Sequence, residues 1–284
     1  VKIFIPTRDR VRAQYTWANL TPELQRYTSL VAPAEEVEAH REAGRNVIAR
    51  PPVRLAAVRQ WLVDEAVNSG NGHEPIIMLD DDLAFFVRAD PSRHNLRPAL
   101  ERSEIELDLV FQRLYCLVAG GAAEGQQPEI AKPVVHAGLS PRQGNNWSFP
   151  NTLEYNTRMN AVHCVLPDAL HHYGIRYDDV DMMEDYHVTL SLFEKGEDNA
   201  AICDAAWDQV KGSGAPGGFS HYRTNDRQAA AAERLAALHP ESVKVVKKTP
   251  KTGAGGFAGE RTDVRVQWKQ ARKRGAEATF VRKD

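Results

Sequence analysis

The chain has 284 residues, of which 42% are apolar and 26% charged, with a formal charge of −2. That composition supplies a large core and excludes a disordered chain, and no run reaches the ~18 consecutive apolar residues of a membrane span. Charge is uneven: Glu241 to Asp284 holds 12 Lys and Arg against 5 Asp and Glu, leaving 24 against 33 in the acidic remainder, so the tail is either the place where a polyanion would be met or simply a solvated end of the chain.

Val1 to Pro6 reads as a short apolar strand, with no small-residue cleavage site of a secretory leader. It runs into a polar turn, Thr7-Arg8-Asp9-Arg10. Tyr27 to Ala32 is predicted as a second strand, Pro33 to Gly44 as a helix ended by glycine, and Asn46 to Ala49 as a third strand. Leu55 to Val67 is predicted as a helix with Leu55, Val58 and Leu62 on one stripe. Pro75 to Leu79 is continuously apolar, as a strand buried on both faces requires. The alternation predicts a parallel sheet with helices on both sides, whose ligands bind beyond the carboxyl ends of the strands. Two polar clusters sit at such ends, the Thr7–Arg10 turn and Asp80-Asp81-Asp82.

Farther along, helices are predicted over Glu104–Val118, Met182–Lys195 and Arg227–Leu238, and strands over Lys132–His136, Met159–Leu166 and Ser242–Lys248. In the second helix Met183, Tyr186, Leu190 and Phe193 share a face. Residues 120–127, 212–218 and 253–259 read as loops. Cys116, Cys164 and Cys203 lie far apart without a CxxC pair, so they are expected to be buried thiols in a reducing, cytoplasmic compartment.

Three adjacent carboxylates after an apolar strand repel one another, and burying them needs a compensating cation. Hard divalent ions take carboxylate oxygens, often with phosphate oxygens, and in an extended chain Asp80 and Asp82 would point the same way. A solvated acidic turn would carry the same residues. Arg59, on the striped helix, either snorkels to solvent or faces a diphosphate. Asp181 and Glu184 have capping-box spacing. Asp185 shares a face with Val188 and Leu192, where desolvation would raise its pKa and suit it to general-base work. His221 follows a glycine loop and is either a surface histidine or one that could close over a metal. His136 to Trp147 reads as a polar segment, in which Arg142, Asn145 and Asn146 offer base-edge contacts and Trp147 a stacking face.

This ordered set resembles the GT-A glycosyltransferases over about residues 1–225. More narrowly, VKIFIPTRDR, IIMLDDDLAFF, HAGLSPRQGNN and MMEDYHVTL resemble the phage TET/JBP-associated glycosyltransferases, linked to sugar transfer onto 5-hydroxymethylcytosine in DNA. The resemblance implies an α/β, GT-A-like (Rossmann-like) fold with a mostly parallel central sheet flanked by helices. A domain over 1–240 would carry a basic C-terminal extension over 241–284, whose role the family does not assign. It implies donor contacts from Pro6, Thr7, Arg8, Arg10, Arg59, Asp80 and Asp81, and a manganese or magnesium ion on Asp80, Asp82 and His221. Asp185, paired with Glu184, would be the base of an inverting enzyme using a UDP-sugar. His136, Arg142, Asn145, Asn146 and Trp147 would face the acceptor, and Lys247, Lys248, Lys251, Arg272, Lys273 and Arg274 would grip DNA phosphates. A GT-A enzyme with a non-DNA acceptor and a non-catalytic nucleic-acid module remain alternatives. A nucleotidyltransferase would show a glycine-rich loop in place of TRDR.

Overall fold

The computed structural model describes residues 1–51, 54–88, 90–101, 104–120, 133–210, 217–218, 224–249 and 260–281. His221, Lys132, Lys251 and most of the three glycine-containing loops lie outside the described residues. The first four strands, β1 (Lys2–Pro6), β2 (Thr28–Pro33), β3 (Val47–Arg50) and β4 (Ile76–Leu79), pair in parallel in the order β3-β2-β1-β4. Between them lie α1 (Tyr15–Ala18), α2 (Pro22–Arg26), α3 (Val37–Glu42) and α4 (Leu55–Asn68). The Thr21 hydroxyl caps α2 by accepting from the Leu24 N–H at 3.1 Å, with Pro22 at the first helical position. Gly44 follows α3 in the left-handed conformation, φ +73°, that favours glycine. All four residues of β4 are buried, because helices cover both faces of the sheet. On one face α4 packs Val58, Leu62 and Val63 against Val31, Ile76 and Met78.

Past β4 the sheet continues through six more strands, of which the pattern announces well only the one inside Met159–Leu166. These are β5 (Leu83–Arg88), β6 (Leu96–Pro98), β7 (His136–Pro141), β8 (Leu153–Tyr155), β9 (Val162–Val165) and β10 (Asn199–Gln209). The ten strands run in the order β3-β2-β1-β4-β9-β7-β10-β5-β6, with β8 also on β10. Most point one way; β5, β8 and β9 run against the rest. α5 (Glu104–Ala119) buries Leu107, Phe111, Leu114 and Leu117 against the other face, as its helical spacing predicts. α6 (Pro167–Tyr173) and α7 (Glu184–Glu194) complete the α4 side.

β7 begins at His136, where the predicted strand ends, so 136–141 is strand and not polar loop. It lies between β9 and β10, and its first five residues are buried; burial on both faces removes the alternation that marks a half-exposed strand. β10 is alanine-rich, yet it pairs with β7 along one edge and with β8 and then β5 along the other.

The chain ends with α8 (Asn225–Leu238), the antiparallel pair β11 (Val243–Lys248) and β12 (Arg261–Val266), and α9 (Trp268–Val281). They enclose a third core, in which Ala232, Leu235, Val243, Val264 and Ala271 meet Leu190 and Phe193 of α7. Met183 and Tyr186 pack on the same core, on the face their spacing predicts. Gly275 of α9 crosses so closely that an added Cβ would lie 1.8 Å from the Phe193 carbonyl; only glycine fits. Among the described residues no helix is long and apolar enough to cross a membrane. All three cysteines are free; Cys164 and Cys203 are buried and Cys116 is half-buried.

Candidate active site

β1, β4 and β7 run the same way, so the Thr7 turn, Asp80 and Arg142 all follow carboxyl ends on one rim of the sheet. The chain turns at Asp81 and Asp82 before entering β5, so Asp80 and Asp82 are not related by the extended spacing expected. Each carboxylate meets an arginine, Asp81 and Asp82 sharing one. Thr7 Oγ1 donates to Asp81 at 2.8 Å, Arg10 reaches Asp81 at 2.9 Å and Asp82 at 3.8 Å, and Arg59 reaches Asp80 at 2.6 Å. Burial pushes Asp81 up to about 7, although Arg10 and the Thr7 hydroxyl both pull it down.

Arg59 ties this turn to α7. Its side chain is buried, one end on Asp80 and the other on Glu184 at 2.7 Å. Burial opposes its charge, and Asp80 and Glu184 more than offset that, holding its pKa above the usual arginine range. The capping box expected at Asp181 and Glu184 is absent. Met183, in the left-handed conformation at φ +64°, precedes the helix with no side-chain cap, Asp181 pairs with Arg54, and Glu184 turns inward to Arg59. A left-handed methionine carries strain of order 1–3 kcal/mol, and here it delivers Glu184 and Asp185 to the cleft. Burial raises both carboxyls above their ordinary range, against the pull of Arg59 on Glu184 and of Arg158 and Arg59 on Asp185. Arg158 lies 3.9 Å from Asp185 and 4.3 Å over the Tyr186 ring.

The structure brings Arg59, Asp80, Glu184 and Asp185 around one cleft of about 340 Å³. Thr7, Arg10 and Arg59 are buried on protein carboxylates, so they shape the acidic turn; an open diphosphate contact is not their arrangement. Pro6 ends β1, and Arg8, paired with Asp9, keeps 28% of its side chain exposed. His136 is corrected: it is fully buried, stacked on His163 with ring nitrogens 3.1 Å apart, and burial lowers it to about 3. Asn145 is corrected too, since its side chain is buried between Arg88 and the Cys203 carbonyl. Asn146 and Trp147 are exposed, Trp147 to 92%. Arg142 lies 4.1 Å over the Phe86 ring and reaches Asp208 at 3.4 Å.

Among the described residues no three His, Cys, Asp or Glu side chains converge as a metal cage. An ion carried largely by substrate phosphates needs only one or two carboxylates. Asp80 fits that requirement: 26% of its side chain is exposed in the cleft wall while Arg59 holds one oxygen. Asp82, two residues on, is 11% exposed, 3.8 Å from Arg10, and is not among the residues that line the cleft.

Several lining residues escape the sequence patterns. Arg54 sits before α4 and Arg158 in the loop ahead of β9, and Trp207 and Gln209 end β10. Arg227 and Gln228 come from α8, and Arg261 and Asp263 from β12. An isolated arginine in a loop has no periodicity to mark it. The expected phosphate-gripping cations are partly engaged within the protein: Lys248 on Asp263 at 3.0 Å, Arg272 on Asp198 at 2.7 Å and Arg274 on the Ser242 hydroxyl at 2.6 Å.

No curated protein matches the chain. A family model described as TET-associated glycosyltransferase matches residues 1–218, a stretch that contains every strand of the ten-stranded sheet and stops ahead of α8. The acidic turn, its arginine tether and the acids that open α7 all fall within that match, and with it spanning most of the sequence the chain belongs to the TET-associated glycosyltransferase family.

Proposed function

We propose that this glycosyltransferase moves a sugar from a UDP-sugar to the hydroxyl of 5-hydroxymethylcytosine in DNA, with inversion at the anomeric carbon. The supporting observation is Asp185, which shares a cleft with Asp80 and whose carboxyl is raised by burial. In this reading Asp185 accepts the acceptor hydroxyl proton as that oxygen bonds to the anomeric carbon. The bond from that carbon to the diphosphate oxygen breaks, and UDP leaves with the electron pair. Glu184, bound to Arg59, holds the start of α7 in place and is a positioning residue. A bound divalent ion, held by Asp80 and Asp82, would neutralise charge on the leaving diphosphate; the further metal contact expected from His221 lies outside the described residues. Arg8 would meet the donor, while Pro6, Thr7, Arg10 and Asp81 would shape the turn beside it.

A base in duplex DNA must leave the stack to present its hydroxyl. Trp147, Asn146 and Arg142 follow β7 on the rim that also carries Asp80, and would receive it. Trp147→Ala is expected to leave thermal stability within about 0.5 kcal/mol, as for an exposed side chain. It should raise the acceptor KM by roughly 5- to 150-fold, the range given by ~1–3 kcal/mol for one base stacked on an aromatic ring. An unchanged KM would remove Trp147 from the acceptor site.

The test is mass spectrometry of nucleosides from 5-hydroxymethylcytosine DNA incubated with the protein, manganese and a panel of UDP-sugars. The expected product is a nucleoside heavier by one sugar residue, absent when EDTA is added. UDP release without mass gain on DNA would favour a second reading, a GT-A enzyme with another acceptor. Arg272, held on Asp198 with only 17% of its side chain exposed, favours that reading, because it is withdrawn from any polyanion.

A further inference from the structure

We infer that the elements beyond residue 218 form the acceptor wall of the cleft, where Arg227 and Arg261 take phosphodiester groups flanking the base to be modified. The inference rests on the DNA reading above and extends it to residues that the family match does not include. Arg227 and Gln228, in the first turn of α8, and Arg261 and Asp263, on β12, line the same cleft as Asp80, Glu184 and Asp185.

The interactions run in series. Asp80, Arg59 and Glu184 form one end. Asp185 follows, then Arg158 on Asp185 and over Tyr186. Arg261 and Asp263 act electrostatically on Tyr186. Arg261 and Asp263 line the same cleft as Tyr186, Asp185 and Asp80. If the donor diphosphate lies at Asp80, the group that gives its proton to Asp185 approaches from the Arg261 side.

This wall is held in place. The Asp263 carboxylate is 11% exposed, accepts from Arg261 at 3.1 Å and pairs with Lys248 at 3.0 Å. Thr224 caps α8, accepting from the Arg227 N–H at 3.3 Å, while the Arg227 side chain is exposed. Gly275 against Phe193 locks α9 to the far end of α7, the helix whose first turn carries Asp185. Guanidinium groups on a rigid wall suit phosphate oxygens.

The test uses the full chain, a fluorescent duplex carrying 5-hydroxymethylcytosine, and anisotropy titrations over a range of salt concentrations. Arg227→Gln with Arg261→Gln is expected to weaken DNA binding at least tenfold at low salt. The slope of log K against log salt should become shallower by about 0.7–0.9 for each phosphate left without its guanidinium. UDP-sugar affinity by calorimetry should stay within twofold. Arg227→Lys with Arg261→Lys should keep the salt slope, which a merely folding-defective pair would not. An unchanged slope and affinity in the glutamine variant overturns the inference. So does a drop in UDP-sugar affinity with DNA binding intact, which would make these arginines donor ligands. The wild-type transfer assay separates the two ideas: wild-type transfer to DNA with an unaltered glutamine variant sinks the wall and keeps the acceptor. Wild-type binding without transfer, with the slope shift present, keeps the wall and sinks the acceptor. A wild type that does not bind the duplex overturns both.

Discussion

Asp185→Asn is expected to lower kcat by roughly 10²- to 10⁴-fold, the range for losing a positioned general base, while UDP-sugar affinity stays within twofold. The change keeps the shape of the side chain, so the first turn of α7 and the Glu184 contact with Arg59 at 2.7 Å are retained. Only the ability to accept a proton goes. The pH profile adds a second reading. Burial raises Asp185, and Arg158 lowers it, so the carboxylate is protonated, and inactive as a base, up to a higher pH than an ordinary aspartate. The acid limb of kcat/KM should therefore lie above the usual aspartate range, activity rising as pH passes through it. Arg158→Ala removes a cation that favours the ionised form, so the limb should move to still higher pH. Transfer persisting in Asp185→Asn, or a limb that moves down in Arg158→Ala, would take the base role away from Asp185.

Arg59→Met should cost about 3–5 kcal/mol of folding stability, measured by guanidinium denaturation, as when one partner of a buried ion pair is removed. The cost arises because Glu184, 10% exposed, would be left charged without its cation. Asp80, at 26% exposure, can still draw on water and contributes less. Two consequences follow from that division. Glu184→Leu in the Arg59→Met background should recover part of the stability, because no buried charge is then stranded there. Asp80→Asn in the same background should recover little. A cost below about 1 kcal/mol in the single variant would mean that water reaches Glu184, contrary to its burial.

The arginines show how differently chemistry and wiring are legible in a sequence. Asp80-Asp81-Asp82 after an apolar strand stands out because clustered acids need cations. Which cations compensate them does not stand out: Arg10 lies some 70 positions away and Arg59 about 20, and their ion pairs exist only once β1, β4 and α4 are packed. The same holds for Glu184, whose spacing from Asp181 fits a cap, while packing assigns it to a buried arginine. His136 and Asn145 carry polar atoms suited to a ligand, yet the central position of β7 and the Arg88–Cys203 contacts bury them.

Local pattern determined the first four strands, α4, α5 and α7, and the carboxyl-end placement of the acidic turn, because helical stripes and wholly apolar runs are properties of neighbouring residues. Tertiary structure alone decided β5, β6, β8 and β10, the true extent of β7, and the approach of Arg158 to Asp185. It also decided the contribution of Arg227, Arg261 and Asp263 to the cleft. Those features join segments far apart in the chain. Their stability comes from burial and charge pairing across the fold, which no window of sequence contains.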